Sequence, residues 1–264
     1  MIERIIPGTL EWTLFYTEHS QRYEFFASMC EGRRVLDAAC GVGYGSSILA
    51  EKGANYICGV DVSVEAIDYA NVHYSHPAAK FVVADCTNLE SLEAKFDIVI
   101  SLETIEHLQH PEKLIEAAYK VLVDDGVFIC SMPNILRHSL AGVENPFHPS
   151  EMHLEHLQKL MEKYFFIEAS YFQSESPAYK RHLQTIEEVR NAYNNIQRSK
   201  LLRLEQSLRT LLRRPALYCR NLISQSLERA VPGDYIIEPL KTIEDWQKTY
   251  ILVGKKNICH DINS

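Results

Sequence analysis

The chain has 264 residues, 46% of them hydrophobic, and carries 27 lysine and arginine against 35 aspartate and glutamate, a net charge of −8. Length and apolar content suffice for one large domain with an insertion and argue against disorder, while the acidic balance argues against a general nucleic-acid binder. No run of about 18 apolar residues is present to span a bilayer, and residues 1–10 lack the apolar centre of a secretion signal, so a cytoplasmic protein is expected.

Seven cysteines, at 30, 40, 58, 86, 130, 219 and 259, are scattered without a C-x-x-C pair. They read as reduced core thiols rather than disulfides or zinc ligands.

Apolar and aromatic residues between Trp12 and Met29 (Phe15, Tyr16, Tyr23, Phe26, Ala27) recur at helical spacing, which predicts an N-terminal helix. Within it, Arg22-Tyr23 offers a cation and a phenol to a ligand carboxylate; an exposed arginine beside a packed tyrosine is the plainer alternative. Val35-Leu36 reads as a buried parallel strand, Gly41, Gly43 and Gly45 as the sharp turn after it, and a helix begins near Tyr44. Open α/β sheets bind ligands just outside such a carboxyl end.

Tyr56 to Asp61 is a second strand ending in an acid, with Ser63 placed to cap a helix running to about His73. An acid about 20 residues after a glycine turn can accept hydrogen bonds from both hydroxyls of a ribose, so Asp61 reads as a nucleoside ligand, with a plain helix-capping role as the alternative. A third strand, 80–84, ends at Asp85-Cys86, and a fourth, Phe96 to Leu102, is followed at once by Glu103-Thr-Ile-Glu106-His107. Pro111 opens the next helix, with apolar residues at 114, 117, 118 and 121. After the turn Asp124-Asp125-Gly126 come a fifth strand from Val127 to Met132 and the loop Asn145-Pro-Phe-His148-Pro-Ser-Glu151. An amphipathic helix from Leu154, a sixth strand near 166–172 and a last strand from Thr249 to Gly254 complete the pattern.

Residues 173–248 exceed any ordinary loop, and Leu201, Leu204, Leu208, Leu211 and Leu212 share a helical face, with Arg203 and Arg214 opposite. We read a helical insertion or cap there, between a core of residues 1–172 and a closing strand and tail of 249–264. Between Lys180 and Arg229 stand 11 lysine and arginine against 4 glutamate, so this segment is suited to meeting an anionic substrate or surface.

The pattern Asp37-x-x-x-Gly41-x-Gly43-x-Gly45 differs from the dinucleotide spacing G-x-G-x-x-G and resembles motif I of the class I S-adenosylmethionine-dependent methyltransferases. The order of glycine turn, Asp61, Asp85-Cys86, the 103–107 block and closing strand extends the resemblance over nearly the whole chain except the insertion. It implies a Rossmann-like α/β fold with a mostly parallel seven-stranded sheet and helices on both faces. It also implies S-adenosylmethionine as cofactor, with contacts from Arg22, Ala39, Gly41, Gly43, Asp61, Val62, Asp85, Cys86 and Leu102. In it, the carboxylate of Asp85 meets the adenine amine, and the backbone NH of the next residue meets a ring nitrogen. More narrowly, Glu18-His19-x-x-Arg22-Tyr23, Ala39-Cys40-Gly41-x-Gly43-Tyr44-Gly45, Glu103-Thr-Ile-Glu106-His107 and Asn145-Pro-Phe-His148-x-x-Glu151 look like methyltransferases of bacterial polysaccharide-biosynthesis loci. That likeness implies O-methylation of a sugar or glycan hydroxyl.

An alcohol must lose its proton during methyl transfer, and either a base near neutral pKa or a bound divalent metal can assist. His107 suits the first route. Glu103, Glu106, His107 and His148 suit the second, with magnesium or manganese as the ion. Their pattern looks like the E-x-x-E-H plus distal His of the small-RNA 3′-terminal 2′-O-methyltransferases, and its first half like the quinone-biosynthesis O-methyltransferases. His153 and His156 lie close to His148 in sequence but read as helix-face residues. The alternatives are a small aromatic, quinone-type or amine acceptor, and a non-catalytic cofactor-binding partner subunit.

Overall fold

The computed structural model describes residues 7, 10–135, 148–177, 179–181, 234–242 and 247–257, with side chains from 16 onward in the first helix. They fall into two compact units, divided between Glu18 and His19, Ser174 and Glu175, and Ile236 and Ile237.

The larger unit is built on one sheet. Its strands are β1 (Arg34–Ala38), β2 (Tyr56–Asp61), β3 (Ala79–Val83), β4 (Phe96–Ser101), β5 (Leu122–Pro133), β6 (Phe165–Glu175), β7 (Tyr235–Pro239) and β8 (Thr249–Lys256). Their spatial order is β3-β2-β1-β4-β5-β8-β6-β7. β1 to β5 run parallel, and β8 lies antiparallel between β5 and β6. Strand order reverses between β1 and β4, which places a ligand crevice at their carboxyl ends.

The helices are α1 (Leu10–Cys30), of which the part from His19 belongs to this unit, α2 (Tyr44–Glu51), α3 (Val64–His73), α4 (Pro111–Val121) and α5 (Leu154–Met161). Alternation along β1 shows how they cover both faces. Leu36 and Ala38 join a core with Val60, Val99 and Cys130 from neighbouring strands, Leu114 and Ala118 from α4, and Leu157 and Met161 from α5. Asp37 points the other way, where Tyr23 of α1 and Ser46 of α2 donate to it.

Local signals explain the element starts. The Ser63 hydroxyl accepts from Ala66 N at 3.2 Å, a cap of about 1 kcal/mol. Pro111 occupies the first turn of α4, where its missing N–H costs nothing, and Leu114, Ala117, Ala118 and Val121 are all buried.

The α/β architecture matches expectation, with two differences. The sheet has eight strands rather than seven, because Tyr235–Pro239 forms an edge strand within the stretch read as a helical insertion; Leu240 N donates to Ser170 O where it ends. β5 begins at Leu122, and a register shift opposite Phe96 and Ile98 absorbs the expected Asp124-Asp125-Gly126 turn. Cys30, Cys40, Cys58, Cys86 and Cys130 are buried free thiols; Cys219 and Cys259 lie outside the described residues.

Of the smaller unit, residues 10–18, 175–177, 179–181 and 234–236 are described, besides residue 7. In it Ser176 N donates to Asp234 O at 2.7 Å, and the Tyr179 and Tyr235 rings stand 5.4 Å apart. The leucine face of 201–212, with Arg203 and Arg214, falls outside the described residues. No helix among the described residues is long and apolar enough to cross a membrane.

Candidate active site

The turn after β1 is formed by backbone. Gly41 has φ +56 and a Cβ there would meet nothing within 4 Å, so this glycine faces open space. Gly43 has φ +90 and a Cβ would stand 2.7 Å from Ala70 Cβ, so α3 packs against it. Gly45 is closer still, since a Cβ would fall 2.2 Å from the Tyr23 ring. The three glycines therefore serve different ends: Gly41 leaves room for a ligand, whereas Gly43 and Gly45 let elements approach. Ala39, at φ +69, adopts the left-handed region without being glycine, a local strain of the kind found at ligand sites.

Asp37 is wholly buried. Ser46 Oγ donates to it at 2.6 Å and Tyr23 OH at 3.2 Å, and burial pushes its carboxyl up to about 7 against the opposing effect of those hydrogen bonds. It therefore ties α1 and α2 to β1.

Asp61 closes the same end of the sheet. Its carboxylate accepts from Gly41 N at 3.1 Å and from Ser63 N at 2.9 Å, so two backbone amides fix it beside the open glycine. Val62, next to it, is exposed. Asp85 is exposed and accepts from both Thr87 N and Thr87 Oγ1 at 2.8 Å. Cys86 is buried, its thiol pushed up to about 12 by burial. Leu102 is buried and its carbonyl accepts from Thr104 Oγ1.

Beyond β4 the site is made of side chains. Glu103 sits at φ +51. Ser131 of β5 holds it twice, accepting from Glu103 N at 2.9 Å and donating to Glu103 Oε1 at 2.7 Å. The other carboxylate oxygen lies 3.9 Å from Arg22 Nη2. Arg22, the expected partner of a ligand carboxylate, is wholly buried, and its Nη1 donates to Gln173 Oε1 at 2.6 Å and Thr249 Oγ1 at 3.2 Å. His19, about one turn earlier on α1, has its Nδ1 3.2 Å from the Tyr44 hydroxyl. Burial holds the His19 imidazole well below its usual pKa, aided by Arg22 and Lys248.

The 3-10 turn Ile105–His107 and the segment from His148 to Glu151 meet at the same edge. Ser150 joins them, its N–H donating to Glu106 O at 3.1 Å and its hydroxyl to Leu108 O. As a result the His107 and His148 rings stand edge to face with centroids 4.7 Å apart. One potential ligand atom from each of Glu106, His107 and His148 lies within 4.8 Å of the others. The Glu106 and His148 side chains are 4% and 7% exposed and His107 is 31% exposed, so the group opens on the His107 side.

Of the four residues expected to form a metal site, three are brought together and Glu103 is placed with Ser131 and Arg22 instead. His153 and His156 are exposed. Asn145, Pro146 and Phe147 lie outside the described residues. Sequence reasoning missed Ser131 and Ser150, and it singled out the His148-x-x-Glu151 spacing without the contact it makes, His148 Nδ1 standing 2.9 Å from Glu151 Oε1.

Comparisons with known proteins bear on the fold and the family likeness. Residues 36–130 match the model of a methyltransferase domain. A Mycolicibacterium smegmatis protein named "Probable S-adenosylmethionine-dependent methyltransferase" is 32% identical over 162 residues, 61% of this chain and 62% of its own. A Neisseria meningitidis ubiquinone biosynthesis O-methyltransferase is 31% identical over 112 residues, 41% and 47% of the two chains. These matches thus span less than two thirds of the relatives' lengths. Among solved structures, a Thermotoga maritima S-adenosylmethionine-dependent methyltransferase, titled a possible histamine N-methyltransferase, superposes with a TM-score of 0.57 at 13% identity over 92% of both chains, a likeness of fold. The chain thus has the Rossmann-like methyltransferase fold, and over part of its length it is similar to proteins named S-adenosylmethionine-dependent methyltransferases.

Proposed function

We propose that the protein is an O-methyltransferase acting on a hydroxyl of a sugar or glycan precursor, and that Glu106, His107 and His148 hold a divalent magnesium or manganese ion that activates this hydroxyl. The observation that carries this proposal is the clustering of those three donors beyond the carboxyl end of β4, reached from two segments about 40 residues apart in sequence. One carboxylate and two imidazoles suit a borderline-to-hard divalent ion and leave coordination positions for substrate oxygens. These three side chains would hold such an ion, their potential ligand atoms already lying within 4.8 Å of one another.

S-adenosylmethionine supplies the methyl group as a sulfonium, and the ion supplies a Lewis acid that lowers the pKa of a coordinated hydroxyl. The chain's own residues do the rest. Asp61, oriented by Gly41 N and Ser63 N, accepts from the cofactor ribose. Gly41 would admit the cofactor close to the backbone, and the Ser150 bridges hold the two ligand segments in register, the fixed positioning that methyl transfer needs. The four sequence blocks at 18–23, 39–45, 103–107 and 145–151 support a sugar or glycan acceptor.

A second reading has its own support. The 31% identity to a ubiquinone biosynthesis O-methyltransferase favours an aromatic or quinone-type hydroxyl, with the same activation chemistry. The test is formation of S-adenosylhomocysteine with panels of sugar and of phenolic acceptors, before and after chelation. Turnover with a sugar acceptor that stops on chelation and returns with magnesium or manganese is expected. Full turnover in metal-free protein would leave His107 as a lone base.

A further inference from the structure

We infer that Glu151 is a positioning residue of the same site: it fixes the tautomer and ring plane of His148 so that Nε2 carries the lone pair offered to the ion. This rests on the metal reading above. The His148 ring has two nitrogens, and Glu151 Oε1 lies 2.9 Å from Nδ1. A carboxylate accepts and cannot donate when ionised, so Nδ1 must carry the hydrogen of that bond, which leaves Nε2 unprotonated in the neutral ring. Metal-binding histidines commonly donate their other ring N–H to a carboxylate, which orients the ring and raises its basicity.

Two further contacts bear on this loop without choosing between the tautomers. The loop backbone is fixed by Ser150, through its N–H to Glu106 O and its hydroxyl to Leu108 O, but those bonds hold the main chain and do not set a ring rotation. The neighbouring His107 ring meets His148 edge to face, a contact that both tautomers satisfy. The Glu151 side chain, 22% exposed, borders a small cavity with Glu106, Met132 and Met152. Glu151 is thus near enough to orient a ligand while its own carboxylate is engaged with Nδ1.

Manganese titration of the cofactor-bound protein, read by electron paramagnetic resonance, tests this without any acceptor. Glu151→Ala should raise the manganese dissociation constant about 10- to 100-fold. Glu151→Gln, whose amide oxygen can still accept from Nδ1–H, should restore most of that affinity. Affinity for S-adenosylhomocysteine and the melting temperature without metal should be unchanged in both variants, which separates positioning from general damage. Wild-type manganese affinity in Glu151→Ala, with the wild type binding the ion, would overturn the role of Glu151 alone. Failure of the wild type to bind manganese would overturn the metal reading itself.

Discussion

The two ends of the site are built differently. Beyond β1 and β2 the groups proposed to meet the cofactor are backbone amides, an open glycine and one acid, all within 41–63, and each is fixed by its immediate neighbours. Beyond β4 they are side chains from 103–107 and 148–151, joined by Ser150 and braced by Ser131 and Glu151. The first end is a local motif and should fail by losing cofactor. The second is assembled by tertiary contacts and should fail by losing chemistry.

The sharpest way to break that contrast is to remove one residue from each end. Asp61→Ala should cost roughly 2–4 kcal/mol of cofactor binding, the value of charge-assisted hydrogen bonds to the ribose, while the fold persists. Calorimetry with S-adenosylhomocysteine measures it, and unchanged affinity would remove Asp61 from the cofactor site. His107→Ala should do the reverse, lowering kcat about 10²-fold or more at near-normal cofactor affinity. Normal turnover would reduce His107 to a structural residue.

The glycines sharpen the comparison within the first end. Gly45→Ala drives a methyl into the Tyr23 ring, whose hydroxyl is held on Asp37, and should cost about 1–3 kcal/mol of stability. Gly41→Ala meets no atom within 4 Å and suffers only from its φ of +56, about 1 kcal/mol, yet should weaken cofactor binding more than Gly45→Ala does. Denaturation and calorimetry on the pair decide it; equal loss of cofactor affinity would mean that Gly41 has no ligand-facing role.

These contrasts also explain what could be read in advance. The glycine turn, Asp61 and the Ser63 cap were legible because each is encoded within a few residues of the backbone it serves. Leu36, Val60 and Val99 were legible as strand residues because they are apolar on a sheet covered on both faces. The placement of Glu103 was not: five residues can supply E-x-x-E-H, but only the pairing of β4 with β5 puts Ser131 beside the first glutamate, and only α1 packing brings Arg22 to its other oxygen. The edge strand Tyr235–Pro239 was hidden because its partner β6 lies about 60 residues earlier and the stretch between gave a strong helical pattern.

A pH-dependent effect concerns Asp37. Its folded carboxyl, pushed by burial to about 7, lies above the ordinary value of 3.8, so between those values the folded chain binds the extra proton. Its contribution to stability is therefore full below about pH 4 and is lost as pH rises toward 7, with a slope of at most about 1.4 kcal/mol per pH unit. Melting curves of Asp37→Asn across roughly pH 4–8 should show a shallower fall than the wild type over that window. Parallel curves would mean that Asp37 is ionised in the folded chain.

The central claim is that Glu106, His107 and His148 form one divalent-ion site next to the cofactor. Crystals grown with S-adenosylhomocysteine and manganese, with diffraction collected near the manganese edge, address it directly. The claim requires an anomalous peak within ligand distance of all three side chains, with Glu103 still held by Ser131. Cofactor density beside Asp61 without any anomalous peak at the three residues would contradict it.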